Sequence, residues 1–296
     1  MLLVQEYLLT HSFGELAREH GVYASFNETG YKFSLNYDQI EAKESNPLAQ
    51  ECRGLVLARS YGSFLVTRKN ASPLVLDKIV PGHTTVLAYP MKRFFNHGQG
   101  AAADVNWSDP NLAILEKLDG TLCIVYWDKF IHQWCVATRS VSEADLVMDN
   151  GVFTFRTLFE KAVKDTLGIS FFNYLRDDDS FVKRLNINYT YCFELTTPYN
   201  RIVVNYTNCG ITLLAARNMQ TMQEENPAVI GKAIGVPVVQ AHTYTTVEEL
   251  LNWVSSLNPL EHEGVVVRDS NFNRIKVKNA AYVAYNKLHD RLGSSE

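Results

Sequence analysis

A chain of 296 residues, 46% apolar and 11% aromatic, has material for one large core or two modest ones, which excludes a disordered or fibrous protein. Its formal net charge of -4 gives no bulk attraction to nucleic acid, so an anionic partner would have to meet cations gathered in a cleft. The apolar runs stay under about ten residues where roughly 20 are needed to cross a bilayer, and Met1-Leu-Leu-Val-Gln-Glu lacks the basic head of a signal peptide, so the expectation is a cytoplasmic protein without membrane contact.

In chain order, residues 2 to 20 carry Leu2, Leu3, Leu8, Leu9, Phe13 and Leu16 at helical spacing, which predicts one or two helical turns over a core. Tyr31–Tyr37 alternates polar and apolar, as a half-buried strand does. Glu51-Cys52-Arg53-Gly54 then leads into the buried strand Leu55–Arg59. An arginine at a strand entrance is either a surface charge or a guanidinium aimed at phosphate or carboxylate. A hairpin is expected around Tyr61-Gly62-Ser63, and Pro90–Asn96, with Lys92 and Arg93 against Phe94 and Phe95, reads as an amphipathic strand or a phosphate contact.

Mid-chain stands Glu116-Lys117-Leu118-Asp119-Gly120-Thr121-Leu122, between the apolar runs Leu112–Leu115 and Cys123–Trp127. A lysine at the end of a buried strand, before a glycine turn, is held where its ammonium meets little water. Desolvation and neighbouring cations disfavour the charged amine and make it a nucleophile. Asp-Gly between strands is also the commonest hairpin signal, with the lysine a solvated flank. The residues alone leave both readings open.

Cys123–Trp127 and Gln133–Arg139 flank a turn at Asp128–Ile131 and predict a hairpin. Gly151–Leu167 has helical spacing, and Arg176-Asp177-Asp178-Asp179-Ser180 reads as a solvated connection. Strands are expected at Tyr189–Leu195, Arg201–Val204 and Ile211–Ala216. Glu194 stands in an otherwise uncharged run, where a carboxylate must be paired, metal-linked or hydrogen-bonded. Thr221–Gly235 and Thr246–Leu257 predict helices around a strand at Val236–Gln240. Glu263–Asp269 and Arg274–Lys278 follow as strands, the second with its three cations on one face, and Ala280–Arg291 closes the chain as a helix. Cys52, Cys123, Cys135, Cys192 and Cys209, odd in number and widely spaced, read as free buried thiols. No repeat, low-complexity tract or long linker interrupts the chain, so 1–296 parses as a single domain with a short helical tail.

Taken in order, Arg-Gly before a strand, Lys-x-Asp-Gly, Phe-Glu-Leu with Pro-x-Asn-Arg-Ile-Val, Glu-Gly-Val-Val-Val and Lys-x-Lys resemble the covalent nucleotidyltransferases. Within that superfamily the chain is similar to the bacteriophage RNA ligase 1 family, whose Glu-Cys-Arg-Gly segment corresponds to Glu51–Gly54 and whose Lys-Phe-Phe-Asn corresponds to Arg93–Asn96. The resemblance runs from about Tyr31 to Leu288. It implies an α+β nucleotidyltransferase fold, ATP-grasp-like, of mostly antiparallel sheets flanked by helices.

It also implies an ATP-dependent RNA ligase that joins 5′-phosphate and 3′-hydroxyl RNA ends through a lysyl-AMP intermediate. Lys117 is then the nucleophile; Arg53, Lys276 and Lys278 bind phosphates; Glu194 and Glu263 hold the ribose or a hydrated Mg²⁺ (or Mn²⁺); Glu116 holds the nucleoside and Tyr282 contacts phosphate. Arg93 and Arg139 stand where the family has lysine, so a planar fork replaces a point charge at two nucleotide contacts. An end-healing kinase or phosphatase is the expected partner. DNA ligases and mRNA-capping enzymes share the lysine and the Lys-x-Lys strand. They continue into an OB-fold domain, whereas 18 residues follow Lys278, so no OB-fold is expected. A catalytically silent nucleic-acid-binding relative is the alternative from another class.

Overall fold

The computed structural model describes residues 1–59, 66–145, 148, 151–172, 179–244 and 246–293. The hairpin expected at Tyr61–Ser63, and the part of the acidic connection at 176–178, lie outside the described residues.

The N-terminal apolar spacing resolves into two helices, α1 (Leu3–Leu8) and α2 (Phe13–His20). Ser12 separates them: its hydroxyl accepts from Glu15 N–H while the Glu15 side chain accepts from Ser12 N–H, a reciprocal cap. Strands β1 (Val22–Phe26) and β2 (Lys32–Tyr37), the short helix α3 (Pro47–Glu51), β3 (Arg53–Arg59), α4 (Pro73–Leu76) and β4 (Thr84–Ala88) follow, and the four strands form one antiparallel sheet in the order β1-β2-β3-β4. Strand β3 is buried on both faces. Its odd positions Leu55 and Leu57 pack with Phe13 and Leu16 of the helical layer, and its even positions Val56 and Ala58 face Ile124, Tyr126 and Ala137 of a second sheet.

Pro90–Asn96 contributes only the two-residue strand β5 (Phe95–Asn96). The chain then runs through β6 (Ala113–Glu116), β7 (Thr121–Asp128), β8 (Gln133–Thr138), helix α5 (Phe155–Leu167), β9 (Tyr189–Thr196) and β10 (Gly210–Asn218). The helix expected over Thr221–Gly235 splits. Gln223–Glu225 pairs with β10 as β11, and the helix α6 (Pro227–Ile234) starts only where Asn226 caps it and Pro227 takes its first position. The strand expected at Val236–Gln240 is reduced to a bridge between Leu213 and Val238, followed by β12 (Ala241–His242). Arg201–Val204 is not a strand but a series of bends whose amides are used elsewhere. Helix α7 (Val247–Ser256), β13 (Gly264–Arg268), β14 (Arg274–Lys278) and helix α8 (Ala280–Gly293) complete the chain.

The second sheet, β11-β10-β9-β7-β8, is antiparallel and carries α5 on its outer face, where Leu158, Phe159, Ala162 and Val163 meet Val125, Phe193 and Ile211. The third, β12-β6-β13-β14-β5, packs Val265, Val267, Ile275 and Val277 against Leu250 and Val254 of α7, and its β14·β5 pair is parallel. Strands β6 and β7 therefore belong to different sheets. The Lys117–Gly120 segment is a crossing between sheets, not the hairpin that Asp-Gly also suggests. All five cysteines are free thiols, and no described helix is long and apolar enough to cross a membrane.

Candidate active site

Lys117 leaves the end of β6 with its backbone still in the third sheet, its N–H donating to Gly264 O at 2.9 Å. Its Nζ lies 2.7 Å from Glu263 Oε1, and Lys278 Nζ reaches the same oxygen at 3.5 Å. Glu263 is 4% exposed, so one buried carboxylate organises two lysines. Gly264 makes this possible: its φ of 147° is open to glycine, and a Cβ there would stand 2.1 Å from Val277 O.

The crossing is fixed by Asp119. Its carboxylate, 2% exposed, accepts from Val203 N–H (3.0 Å), Val204 N–H (2.8 Å) and Tyr282 O–H (2.6 Å), while Asp119 N–H donates to Tyr206 Oη at 3.0 Å. Gly120 N–H then donates to Glu194 Oε1 at 2.9 Å, and a Cβ on Gly120 would lie 2.2 Å from Leu195 O. The loop that carries Lys117 is thus bonded to the second sheet through Glu194, to the 203–204 bend, and to α8 through Tyr282.

The electrostatics follow from this crowding. Burial pushes the Glu194 carboxyl up to about 7; Glu263 adds to the push, while Lys117 and the Gly120 amide oppose it. Lys276 shows the converse: burial, then Lys278, Lys117 and Arg53, bring its amine down to about 7, against Glu263. Both groups therefore change charge near neutral pH beside the same lysine.

Three guanidiniums form the opposite wall. Arg53 stacks on Phe94 at 5.6 Å, and Arg93 and Arg139 lie on Tyr37 at 4.2 and 4.6 Å. Arg139 Nε donates to Asn36 Oδ1 at 3.0 Å; burial lowers its affinity for its proton, and Arg53 and Arg93 act in the same direction. Nη1 of Arg53 and Nη1 of Arg93 are buried with no hydrogen-bond partner among the described residues. Buried donors without acceptors, on clustered like charges, mark a place shaped for an anion.

Between these walls lies a cavity of about 410 Å³, lined on its polar side by Lys117, Glu194, Arg53, Arg139 and Lys276, and on its apolar side by residues such as Leu115, Leu214, Val238 and Val266. An apolar slot next to converging cations suits a nucleotide, base in the slot and phosphates at the cations.

Most of the residues expected from sequence meet here: Lys117, Glu116, Arg53, Arg139, Glu194 and Lys276 line the cavity, Glu263 and Lys278 stand at the lysine, and Arg93 adjoins through Tyr37. Tyr282 is placed differently from the expected phosphate contact. It is 2% exposed, lines neither cavity and holds Asp119 from behind the loop. Of the three cations on β14, Arg274 departs from the other two, binding Glu224 of β11 with both arms at 2.7 and 2.8 Å. Sequence reasoning missed Asp119, whose Asp-Gly signal pointed to a hairpin, and His262, whose Nδ1 lies 2.8 Å from Glu116 Oε1. It also missed Tyr37, the ring shared by two arginines. Among the described residues no three carboxylate, thiol or imidazole groups cluster as a metal cage.

A cleft between sheets with a lysine on the crossing loop is the setting of the site, and a solved structure shares the fold. An archaeal ATP-dependent RNA ligase superposes with a TM-score of 0.52 at 15% identity, over 94% of this chain and 64% of that one. In sequence the chain is similar to proteins that carry RNA ligase in their names. Over 268 residues, 87% of the chain, it is 27% identical to a protein described as a bifunctional polynucleotide kinase/RNA ligase from Autographa californica nuclear polyhedrosis virus. Over 155 residues it is 26% identical to an RNA ligase of Rhodothermus phage RM378. The chain spans about a third of the length of these curated relatives, 34% of each. No protein-family model matches it.

Proposed function

We propose that the chain is an ATP-dependent RNA ligase acting through a lysyl-AMP intermediate. The observation that carries this reading is Lys117 on its fixed crossing loop, bonded to Glu263 and facing buried guanidinium donors that have no acceptor.

The uncharged Lys117 Nζ attacks the α-phosphorus of ATP. A phosphorus–nitrogen bond forms, the bond to the bridging oxygen breaks, and pyrophosphate leaves with that electron pair. The proton that the ammonium must first give up has Glu263 as its nearest acceptor, at 2.7 Å. Arg53, Arg93 and Arg139 accept the charge that gathers on the departing phosphates, and Lys276 and Lys278 hold the α-phosphate side, so that the site is arranged for charge before the reaction begins. The 5′-phosphate of an RNA end then attacks the lysyl phosphoramide, returning the amine and giving an adenylylated 5′ end. A 3′-hydroxyl attacks that end, forming the phosphodiester and releasing AMP.

Glu194 and Glu263 are the residues that would hold a divalent ion. Two carboxylates without a third suit Mg²⁺ or Mn²⁺, which keep several waters and share phosphate oxygens. When bound, such an ion supplies positive charge at the α-phosphate and favours the uncharged amine. Glu116, steadied by His262, is placed for the nucleoside. A kinase or phosphatase that heals RNA ends is the partner whose product this reaction consumes, and the name of the Autographa californica nuclear polyhedrosis virus relative joins polynucleotide kinase to RNA ligase.

The test is incubation with [α-³²P]ATP and Mg²⁺, followed by a chase with 5′-phosphorylated single-stranded RNA. Covalent label on the protein that passes to RNA is expected. Protein that never becomes labelled would refute the reading.

A further inference from the structure

A second cavity, of about 520 Å³, opens where the start of β14 meets the β10–β11 turn, and it shares Phe94 and Arg274 with the nucleotide cleft. Lys92, Arg93, Arg217 and Arg274 line it, against the single carboxylate of Glu224. Two of these cations are committed. Arg217 donates to the carbonyls of Tyr89, Pro90 and Met222, and Arg274 is clamped on Glu224.

Arg268 lines the nucleotide cleft, directly across the β13–β14 ladder from Arg274, which both cavities share. It rests on the Phe272 ring at 5.9 Å and makes no ion pair among the described residues. Burial, then Arg274, bring its guanidinium down to about 10, with Glu224 opposing. Three arginines thus surround one carboxylate, and the surplus positive charge has no counter-ion among the described residues. Along β13, Arg268 lies four residues beyond Gly264, about 13 Å from where Lys117 is anchored. Cations spaced along a groove beside an aromatic ring are what a single strand of nucleic acid requires.

We propose that this second cavity seats the backbone of a single-stranded RNA inward from its reactive end, with Lys92 on a phosphate and Phe272 beneath a base, and with Arg268, which rests on the Phe272 ring, meeting a further phosphate where the cavity adjoins the nucleotide cleft. The inference rests on the RNA ligase reading, to which it adds the path of the strand.

Binding of a fluorescent 5′-phosphorylated single-stranded RNA oligonucleotide is measured by anisotropy over a KCl series for the unaltered protein and for Lys92→Ala, Arg268→Ala and Phe272→Leu, alongside lysine adenylylation with ATP. Arg268→Ala should weaken RNA binding about tenfold and lower the salt slope by about 0.7, one phosphate contact. Lys92→Ala, on an exposed side chain that folding does not need, should weaken it severalfold and leave adenylylation unchanged. Unaltered RNA affinity and salt slope in the Lys92 and Phe272 variants would overturn the inference. So would an effect confined to the KM for ATP, which would give the cavity to the triphosphate. If the unaltered protein binds RNA in this way but forms no adenylate, the ligase reading fails while the site stands.

Discussion

The Nζ of Lys117 and the Oε1 of Glu263 lie 2.7 Å apart, and the same two segments are joined again by the bond from Lys117 N–H to Gly264 O at 2.9 Å. The side-chain and backbone contacts fix both the position and the direction of one amine. Mutating the amine should therefore remove chemistry and leave the fold.

Lys117→Ala is expected to abolish transfer of label from [α-³²P]ATP to the protein. Lys278 remains 3.5 Å from Glu263, so the carboxylate is not left without a cation, and stability should change by no more than about 1 kcal/mol. Denaturant unfolding and a labelling assay check the two halves separately. A labelled mutant would move the nucleophile elsewhere.

Glu194 gives a pH signature. Its folded-state carboxyl titrates near 7, above its unfolded value of about 4.3, so the folded state binds more protons between those limits and stability falls as pH rises through that window. Glu194→Gln removes this cost. The variant should be more stable than the parent by about 3 to 4 kcal/mol at pH 8 and equal to it near pH 4. Thermal unfolding at the two pH values tests this, and equal stability at pH 8 would show that the carboxylate is not penalised by its burial.

Lys276 runs the other way. Its folded-state amine titrates near 7 and its unfolded one near 10.4, so stability rises with pH between those values, and below pH 7 the buried charge is a cost. A phosphate at this position needs the charged amine, so nucleotide binding takes up a proton above pH 7. The KM for ATP in adenylylation should climb from pH 7 to pH 9, and Lys276→Arg should flatten the climb, because a guanidinium stays charged. Parallel profiles for the two proteins would exclude Lys276 as the titrating group.

Asp119→Ala strands two buried amides, Val203 N–H and Val204 N–H, and frees Tyr282 O–H. We expect a loss of about 2 to 4 kcal/mol in unfolding free energy. The adenylylation rate of the folded fraction should fall as well, since the same carboxylate anchors the loop that holds Lys117. Urea unfolding and single-turnover labelling read the two effects, and an unchanged rate would make Asp119 purely structural.

The order of the motifs made the cleft legible before its geometry, because Arg53, Lys117, Glu194, Glu263, Lys276 and Lys278 each sit at a strand end or on a strand face that periodicity can find. Local pattern does not say which sheet a strand joins. Asp119-Gly120 matched a hairpin and turned out to bridge two sheets, since pairing partners are chosen by tertiary packing. Arg201–Val204 looked like a strand from its valines, yet Asp119 takes the amides of Val203 and Val204. Gln223–Glu225 was absorbed into a predicted helix because polar residues at a short edge strand carry no alternation to read. The isolation of Arg268 and the clamp from Arg274 to Glu224 depend on contacts some 50 residues apart along the chain.

Glu116 and Lys117 are consecutive at the end of β6, and the consecutive residues His262 and Glu263 receive them one each. The site thus depends on counting as much as on chemistry. A single-codon deletion that shifted the pairing of Glu116 with Val265 would hand the amine to the wrong neighbour. This segment should accept apolar replacements at Ala113 and Leu115, keep Ile114 for the core, and tolerate almost no change of length.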